Sequence, residues 1–182
     1  KHGGKIIAIT VGEQKVEPVI RKALAIGADE AIRINHTPKD SYTTAYHIAE
    51  YLKSNSYDLI ITGRESIDYN GGAVGGMVAE FLSLPFINAC NGLNFSDGIA
   101  QITREIDGGK EKLSAKLPLI IGGQKGLVQE SELRIPNMRG IMQARTKPLS
   151  IIEPSNIETL STSVKFEKPA EKGACKLVSS DN

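Results

Sequence analysis

Between Leu59 and Val78 an apolar run, Leu59 to Thr62, meets a polar loop, Gly63-Arg64-Glu65-Ser66-Ile67-Asp68-Tyr69-Asn70. That loop enters Gly71-Gly72-Ala73-Val74-Gly75-Gly76 at the head of a helical stretch. The segment reads as a buried strand, a turn and a glycine-rich helix start. Such a junction aims backbone N–H groups at whatever sits above the end of the strand, which is the physics of an anion or nucleotide site.

The rest of the chain alternates in the same way. Lys5–Val11 is a short apolar, β-rich run ended by Gly12, read as a buried parallel strand. Val16–Ile26 carries a helical apolar stripe and is followed by Gly27, a good residue just past a helix end. With a strand over Ala28–Ile34 this makes a βαβ unit. A helix is predicted over Ser41–Ser54, with Ala45, Ile48, Ala49 and Leu52 on one face and Asp40 or Ser41 as its cap. Tyr57–Thr62 is the next strand, Gly72–Leu84 the next helix, and Phe86–Asn88 a short fourth strand. The period then changes. Asp97-Gly98 and Asp107-Gly108-Gly109 are hairpin turns around Ile99–Ile106 and Lys110–Leu117. Leu117–Gly122, with Pro118 near its start, returns to an apolar core strand. Lys125–Lys147 has no clean period, although Gly140–Arg145 is basic and helical and Pro148 stops it. The expected fold is α/β, doubly wound, with a mainly parallel sheet over residues 1–150 and an antiparallel hairpin extension. Residues 151–182 have too few apolar side chains for a core and read as an extended arm lying on another surface. Because the first strand follows Lys1 almost at once, the front of the domain is expected to be missing.

Composition narrows the function classes. A net charge of +1 argues against nucleic acid or an anionic membrane as partner, and the absence of Trp argues against base-stacking platforms. Two cysteines, Cys90 and Cys175, with three histidines leave free thiols in a reducing compartment and no zinc site. No apolar run approaches the ~18 residues of a membrane span.

Each notable motif has two readings. The glycines of the Gly63–Val78 stretch either let a phosphate approach a helix N-terminus or serve tight packing. Asp68 either closes the loop on itself or meets a ribose or ligand amide. Arg64 either meets an anion or a flavin, or is solvated. In Arg104-Glu105-Ile106-Asp107-Gly108-Gly109, Glu105 and Asp107 would share one face of a strand. Acid–base chemistry is the functional option there, and an exposed hairpin tip is favoured. His2, His36 and His47 assemble no catalytic constellation, and Cys90 reads as core. Met138 and Met142 beside arginines suit a docking surface or a packed connector.

Several of these segments together resemble the β subunit of electron transfer flavoproteins. Gly63-Arg64-Glu65-Ser66-Ile67-Asp68 is similar to that family's nucleotide loop, and Arg104–Gly109 matches its hairpin string. Leu117-Pro118, followed by Ile141-Met142-x-Ala144-Arg145-x-Lys147-Pro148, resembles its signature near a recognition loop. Val11-Gly12, Ala23–Asp29 and Pro85 fall in the same order, so the resemblance covers Lys1 to Pro154. It implies an adenine-nucleotide α-hydrolase-like fold and an electron carrier without bond-making chemistry of its own. FAD would be held mainly by an α-subunit partner. AMP, or a second FAD, would bind structurally at Val11, Gly63, Arg64, Glu65, Ser66, Ile67, Asp68, Asn70, Gly71, Gly72, Ala73 and Val74. Glu105 would lie at the subunit interface beside the flavin. Arg134, Met138, Arg139, Met142, Arg145 and Lys147 would dock acyl-CoA or related dehydrogenases, which places the function in fatty acid β-oxidation. The resemblance implies the cytoplasm of a bacterium, or the mitochondrial matrix of a eukaryote. The front that family members carry is one further strand and helix.

The match departs from the family pattern in two places. Glu65 stands where Gln is usual, and Tyr69-Asn70-Gly71-Gly72-Ala73 stands where a hydroxyl or thiol and a Gln assist phosphate binding. Backbone donors remain. Leu133-Arg134-Ile135-Pro136 likewise replaces the family's recognition-loop wording. The alternative is an ATP-binding regulatory module of the universal-stress kind, which leaves the hairpin, docking segment and arm unexplained. An adenylating hydrolase would want a Ser-Gly-Gly-x-Asp-Ser loop, which the sequence lacks.

Overall fold

A computed structural model describes residues 3–175. His2 and the last seven residues assigned to the arm, 176–182, lie outside the described residues. In chain order the elements are β1 (Ile7–Val11), α1 (Glu17–Ile26), β2 (Glu30–Ile34), α2 (Ser41–Lys53), β3 (Leu59–Gly63) and α3 (Ala73–Leu82). Then come β4 (Phe86–Ser96), β5 (Ile99–Ile106), β6 (Gly109–Lys116), β7 (Leu119–Gly123), α4 (Met138–Ala144) and β8 (Leu149–Ile152). The fold is the expected α/β type. β1, β2 and β8 form a parallel sheet, and a mixed sheet runs in the order β3-β7-β4-β5-β6.

β7 organises the larger sheet. It pairs in parallel with β3 on one side and β4 on the other. Leu119, Ile120 and Ile121 are fully buried, because both faces are covered. Ile120 packs with Ala45, Leu52, Val78 and Ala79 beneath α2 and α3, while Leu119 and Ile121 pack with Cys90, Ala100 and Ile102. A continuous apolar run is the pattern that a doubly covered parallel strand produces.

The structure differs from the sequence-based expectation in three places. Phe86–Asn88 is only the start of an eleven-residue strand. Its register shifts around Cys90, and Ala89 takes a left-handed φ of 58°. This bulge bends one strand so that its first part pairs with β7 and its second with β5. A one-residue break in alternation hides such a strand from a period count. α4 begins at Met138 rather than Gly140, because Asn137 caps it by accepting the Gly140 N–H at 2.8 Å. Finally, Ile151-Ile152 belongs to β8, which pairs with β2.

Among the described residues β1 pairs only with β2, and β3 only with β7. Ile7, Ile9, Leu59, Ile60 and Ile61 of these two strands line a cleft of about 80 Å³, and Ile61 is 59% exposed.

Arg33 is 3% exposed on β2. Its Nε bonds Glu17 Oε1 at 3.1 Å, and its NH1 group bonds the Gly12 carbonyl at 2.9 Å and Asn35 Oδ1 at 2.8 Å. One buried guanidinium therefore holds the turn after β1 against the start of α1.

Beyond β8 the chain is extended and crosses the start of α2. Asp40 caps α2 by accepting the Thr43 N–H and hydroxyl, at 2.8 and 2.6 Å. Its second carboxyl oxygen accepts the N–H groups of Leu160 and Ser161, at 2.8 and 3.1 Å. Partial burial pushes the Asp40 pKa up, but these four donors outweigh it and hold the value at about 2, below the ordinary 3.8. The folded-state pKa is depressed, so this stabilisation is complete above pH 3.8 and is lost as pH falls towards 2. Asp40→Ala is expected to cost about 1 kcal/mol through the lost cap. It is also expected to speed hydrogen exchange at Leu160 and Ser161. Unchanged exchange there would show that the arm is held by something else.

Candidate functional site

The loop after β3 is built outward from the sheet. The Arg64 N–H donates to the Gly123 carbonyl at 3.0 Å, so the chain stays stitched to β7 for one residue beyond β3. Ser66 is the hub of the loop. Its N–H donates to the Gly71 carbonyl, its carbonyl accepts from the Asn70 N–H, and its hydroxyl accepts from the Gly71 N–H at 3.1 Å. Asn70 takes φ 57°, a left-handed conformation that Asn tolerates. Asp68 accepts the Tyr69 N–H at 2.9 Å. Its carboxyl titrates below the usual range, mainly because of a hydrogen bond with Ser66. Ile67 is fully exposed and Tyr69 is 69% exposed at the loop tip.

The loop delivers the chain to α3 with Gly72 as N-cap and no side-chain cap. The first N–H groups of α3 are therefore available to an anion, with the positive end of the helix dipole behind them. The glycines divide by role. A Cβ on Gly75 would lie 2.6 Å from Thr62 Oγ1 and 3.1 Å from the Phe86 ring, so Gly75 lets α3 pack close on β3 and β4. A Cβ on Gly72 would meet only the Arg64 carbonyl, at 3.3 Å, on the exposed side. The packing reading thus holds for Gly75, while Gly72, Ala73 and Val74 form the open helix start.

Glu105 lies near the end of β5, and Asp107 lies in the turn after it. The pair of carboxylates on one strand face does not form, because the strand ends at Ile106. Arg104 instead pairs with Glu111 across the hairpin at 2.6 Å. Glu105 accepts a hydrogen bond from Gln124 Nε2, and Gln124 Oε1 accepts from the Arg64 NH1 group at 3.0 Å. Gln124, just past the end of β7, thereby links two motifs that the sequence presents as separate. Nothing local marks it: it stands in Gly123-Gln124-Lys125, and only the strand order brings its neighbours together.

Cys90 is fully buried, and its Sγ lies 3.1 Å from the Ile87 carbonyl. Burial raises its pKa and the Arg104 charge opposes this, so it is a core thiol. Among the described residues no cluster of three or more potential metal ligands occurs, and no helix is long and apolar enough to cross a membrane. Val11 is the last residue of β1, half-buried, and precedes the Gly12 carbonyl that Arg33 holds.

The candidate docking residues fall into two groups. Met138 and Met142 are 76% and 57% exposed on α4, and Ile135, before the helix, is 81% exposed. Arg139 and Arg145 are exposed beside them. Arg134 lies over Gly27, where a Cβ would meet its guanidinium at 2.6 Å. Lys147 instead turns inward: its Nζ donates to the carbonyls of Leu24 and Ala28, at 3.0 and 2.6 Å, at the end of α1. Arg21 reaches the other way from α1, donating to the Ala144 and Lys147 carbonyls at the end of α4. Arg21 of α1 thus caps the C-terminus of α4, and Lys147, three residues past α4, caps that of α1. Gly140 permits the close approach, since a Cβ there would lie 2.4 Å from the Ala25 carbonyl. Between the helices runs a groove of about 470 Å³, lined by Pro18, Ala25, Ile141 and Ala144 with Arg21, Lys22 and Arg145.

Comparison with known proteins is consistent over most of the chain. Residues 1–157 match the family model described as "Electron transfer flavoprotein domain". The chain is 36% identical over 162 residues to the electron transfer flavoprotein subunit beta of Bacillus subtilis, covering 87% of this chain and 62% of that protein. It is 33% identical over 171 residues to the protein of the same name from Syntrophomonas wolfei, covering 93% of this chain and 67% of that one. The human protein of that name is 28% identical over 179 residues, covering 93% and 69%. The chain thus spans roughly two thirds of the length of these relatives.

Proposed function

The chain belongs to the electron transfer flavoprotein domain family, and from that membership we propose that it acts as the β subunit of a two-subunit electron carrier. In this reading it makes and breaks no substrate bonds. It pairs with an α subunit that holds most of a redox FAD, binds an adenine nucleotide structurally, and presents a docking surface to dehydrogenases such as those acting on acyl-CoA. The observation that carries the reading is the uncapped start of α3 beneath a loop closed on Ser66, in a chain matched to the family over residues 1–157. The phosphate of AMP, or of a second FAD, would take the N–H groups of Ala73 and Val74. Val11, Gly63, Arg64, Glu65, Ser66, Ile67, Asp68, Asn70 and Gly71 would frame it. Exposed Ile67 and Tyr69 suit a loop tip that a ligand or partner covers.

The remaining parts find places in the same reading. Glu105 would face the flavin at the subunit interface. Met138, Met142, Arg134, Arg139 and Arg145 would supply the dehydrogenase surface, with Lys147 setting the position of α4 from beneath. The arm beyond β8 would lie on the α subunit, where Val164 and Phe166, 98% and 90% exposed, would find apolar cover. Cytoplasmic or mitochondrial-matrix residence and a part in fatty acid β-oxidation belong to the same proposal.

The test is mass spectrometry of the nucleotide released from the native complex of this chain with its partner subunit. A yellow complex releasing FAD together with AMP, or FAD in twofold excess, is expected. A colourless, partner-free protein that releases ATP would favour a regulatory nucleotide-binding module and overturn the reading.

A further inference from the structure

We propose that Gln124 is a positioning residue that couples the nucleotide loop to the Glu105 hairpin, so that the two move as one unit at the carboxyl end of the sheet. The Gln124 N–H donates to the Cys90 carbonyl at 2.9 Å, its carbonyl accepts from the Leu127 N–H at 3.2 Å, and the preceding Gly123 carbonyl accepts from the Arg64 N–H at 3.0 Å. The root of the side chain is therefore fixed relative to β3, β4 and the loop beyond β3.

The chemistry of the neighbours then sets the direction of the amide. Arg64 has donors only, and a carboxylate has acceptors only. The Gln124 carbonyl oxygen must face Arg64 and its NH2 group must face Glu105, as found. The side chain reads a cation on one side and an anion on the other. Arg64 lies 60 positions from Gln124 in sequence and Glu105 lies 19, so one amide joins two distant segments. A like exchange of charge at this position has opposite consequences on its two sides, which separates a bridge from a merely well-packed side chain.

The inference deepens the proposed function, because the segments joined are the assigned nucleotide loop and the assigned flavin-facing hairpin. Its primary test does not depend on either assignment. Hydrogen exchange of the chain in complex with its partner is followed at residues 66–71 and at 105–110 in four proteins, the parent and three variants. In Gln124→Met both segments are expected to exchange about fivefold faster, the change that loss of one hydrogen bond produces. Gln124→Glu keeps an acceptor for Arg64 and sets a carboxylate against Glu105, so only the hairpin loosens. Gln124→Lys keeps a donor for Glu105 and opposes Arg64, so only the loop loosens. Unchanged exchange in Gln124→Met, or the same pattern in Gln124→Glu and Gln124→Lys, would overturn the coupling.

A second readout is the flavin reduction potential of each complex. It is expected to fall in Gln124→Glu, which adds a negative charge beside Glu105, and to rise in Gln124→Lys, which adds a positive one. If the exchange pattern appears while the potential stays constant in both, the bridge stands and the flavin-facing role of Glu105 fails.

Discussion

Gly72→Asp is expected to remove nucleotide binding while leaving the protein as stable as before. Gly72 is the N-cap of α3 and has φ −106°, which any residue adopts. Aspartate is a preferred N-cap, better than glycine by a few tenths of a kcal/mol, which offsets the small shift that its Cβ, 3.3 Å from the Arg64 carbonyl, asks of the loop. The new carboxylate, however, sits where the open N–H groups would receive a phosphate. Two like charges about 4 Å apart repel by roughly 4 kcal/mol at the effective dielectric of a protein surface. Affinity for AMP is therefore expected to fall by about 100-fold or more, read by titration calorimetry on the complex stripped of nucleotide. Gly72→Asn has nearly the same shape without the charge and is expected to keep most of the binding. If Gly72→Asp binds AMP as tightly as the parent, the helix start is not the phosphate site.

The second large effect concerns stability. Arg33→Met is expected to lower the unfolding free energy by about 2–3 kcal/mol, measured by urea denaturation. Methionine fills much of the same volume, so the loss is of hydrogen bonds rather than packing. The Gly12 carbonyl is buried and loses its guanidinium donor. Glu17 loses its partner as well, but it is 27% exposed and reaches water, which keeps the cost below that of a fully buried broken pair. Because Arg33 holds the turn just past Val11, the same substitution should weaken nucleotide binding in proportion to its effect at that turn. A loss under about 0.5 kcal/mol would place Arg33 among ordinary surface residues, contrary to its burial.

The βα alternation was legible because it rests on local rules. Strand and helix periods, Gly27 after α1, the Asp40 cap and the Asp97-Gly98 turn each involve residues close in sequence. The nucleotide loop could be located by its glycines, but not its internal wiring. Asp68 is the conspicuous acidic residue in the sequence, whereas Ser66 makes the three bonds to Asn70 and Gly71 that close the loop. A small hydroxyl can accept from a backbone N–H five residues ahead only once the loop has folded back, and no spacing rule announces that. Lys147 presents the same lesson in reverse. In the sequence it is one cation in a basic run, yet its amine lies on the carbonyls that end α1, more than a hundred positions away.

By itself, then, the sequence determined the type and order of most elements and the place of the strand–loop–helix junction. Those depend on hydrophobic period, capping and turn residues, all of which act over a few positions. Only the tertiary structure decided which side chains meet. Inserting β7 between β3 and β4 sets Gln124 against Arg64 and Glu105. The bulge at Ala89 and Cys90 carries one strand from the parallel core into the hairpin. The approach allowed by Gly140 seats α4 on α1. Sheet order and helix packing are settled by long-range burial, to which no single stretch of chain holds the key.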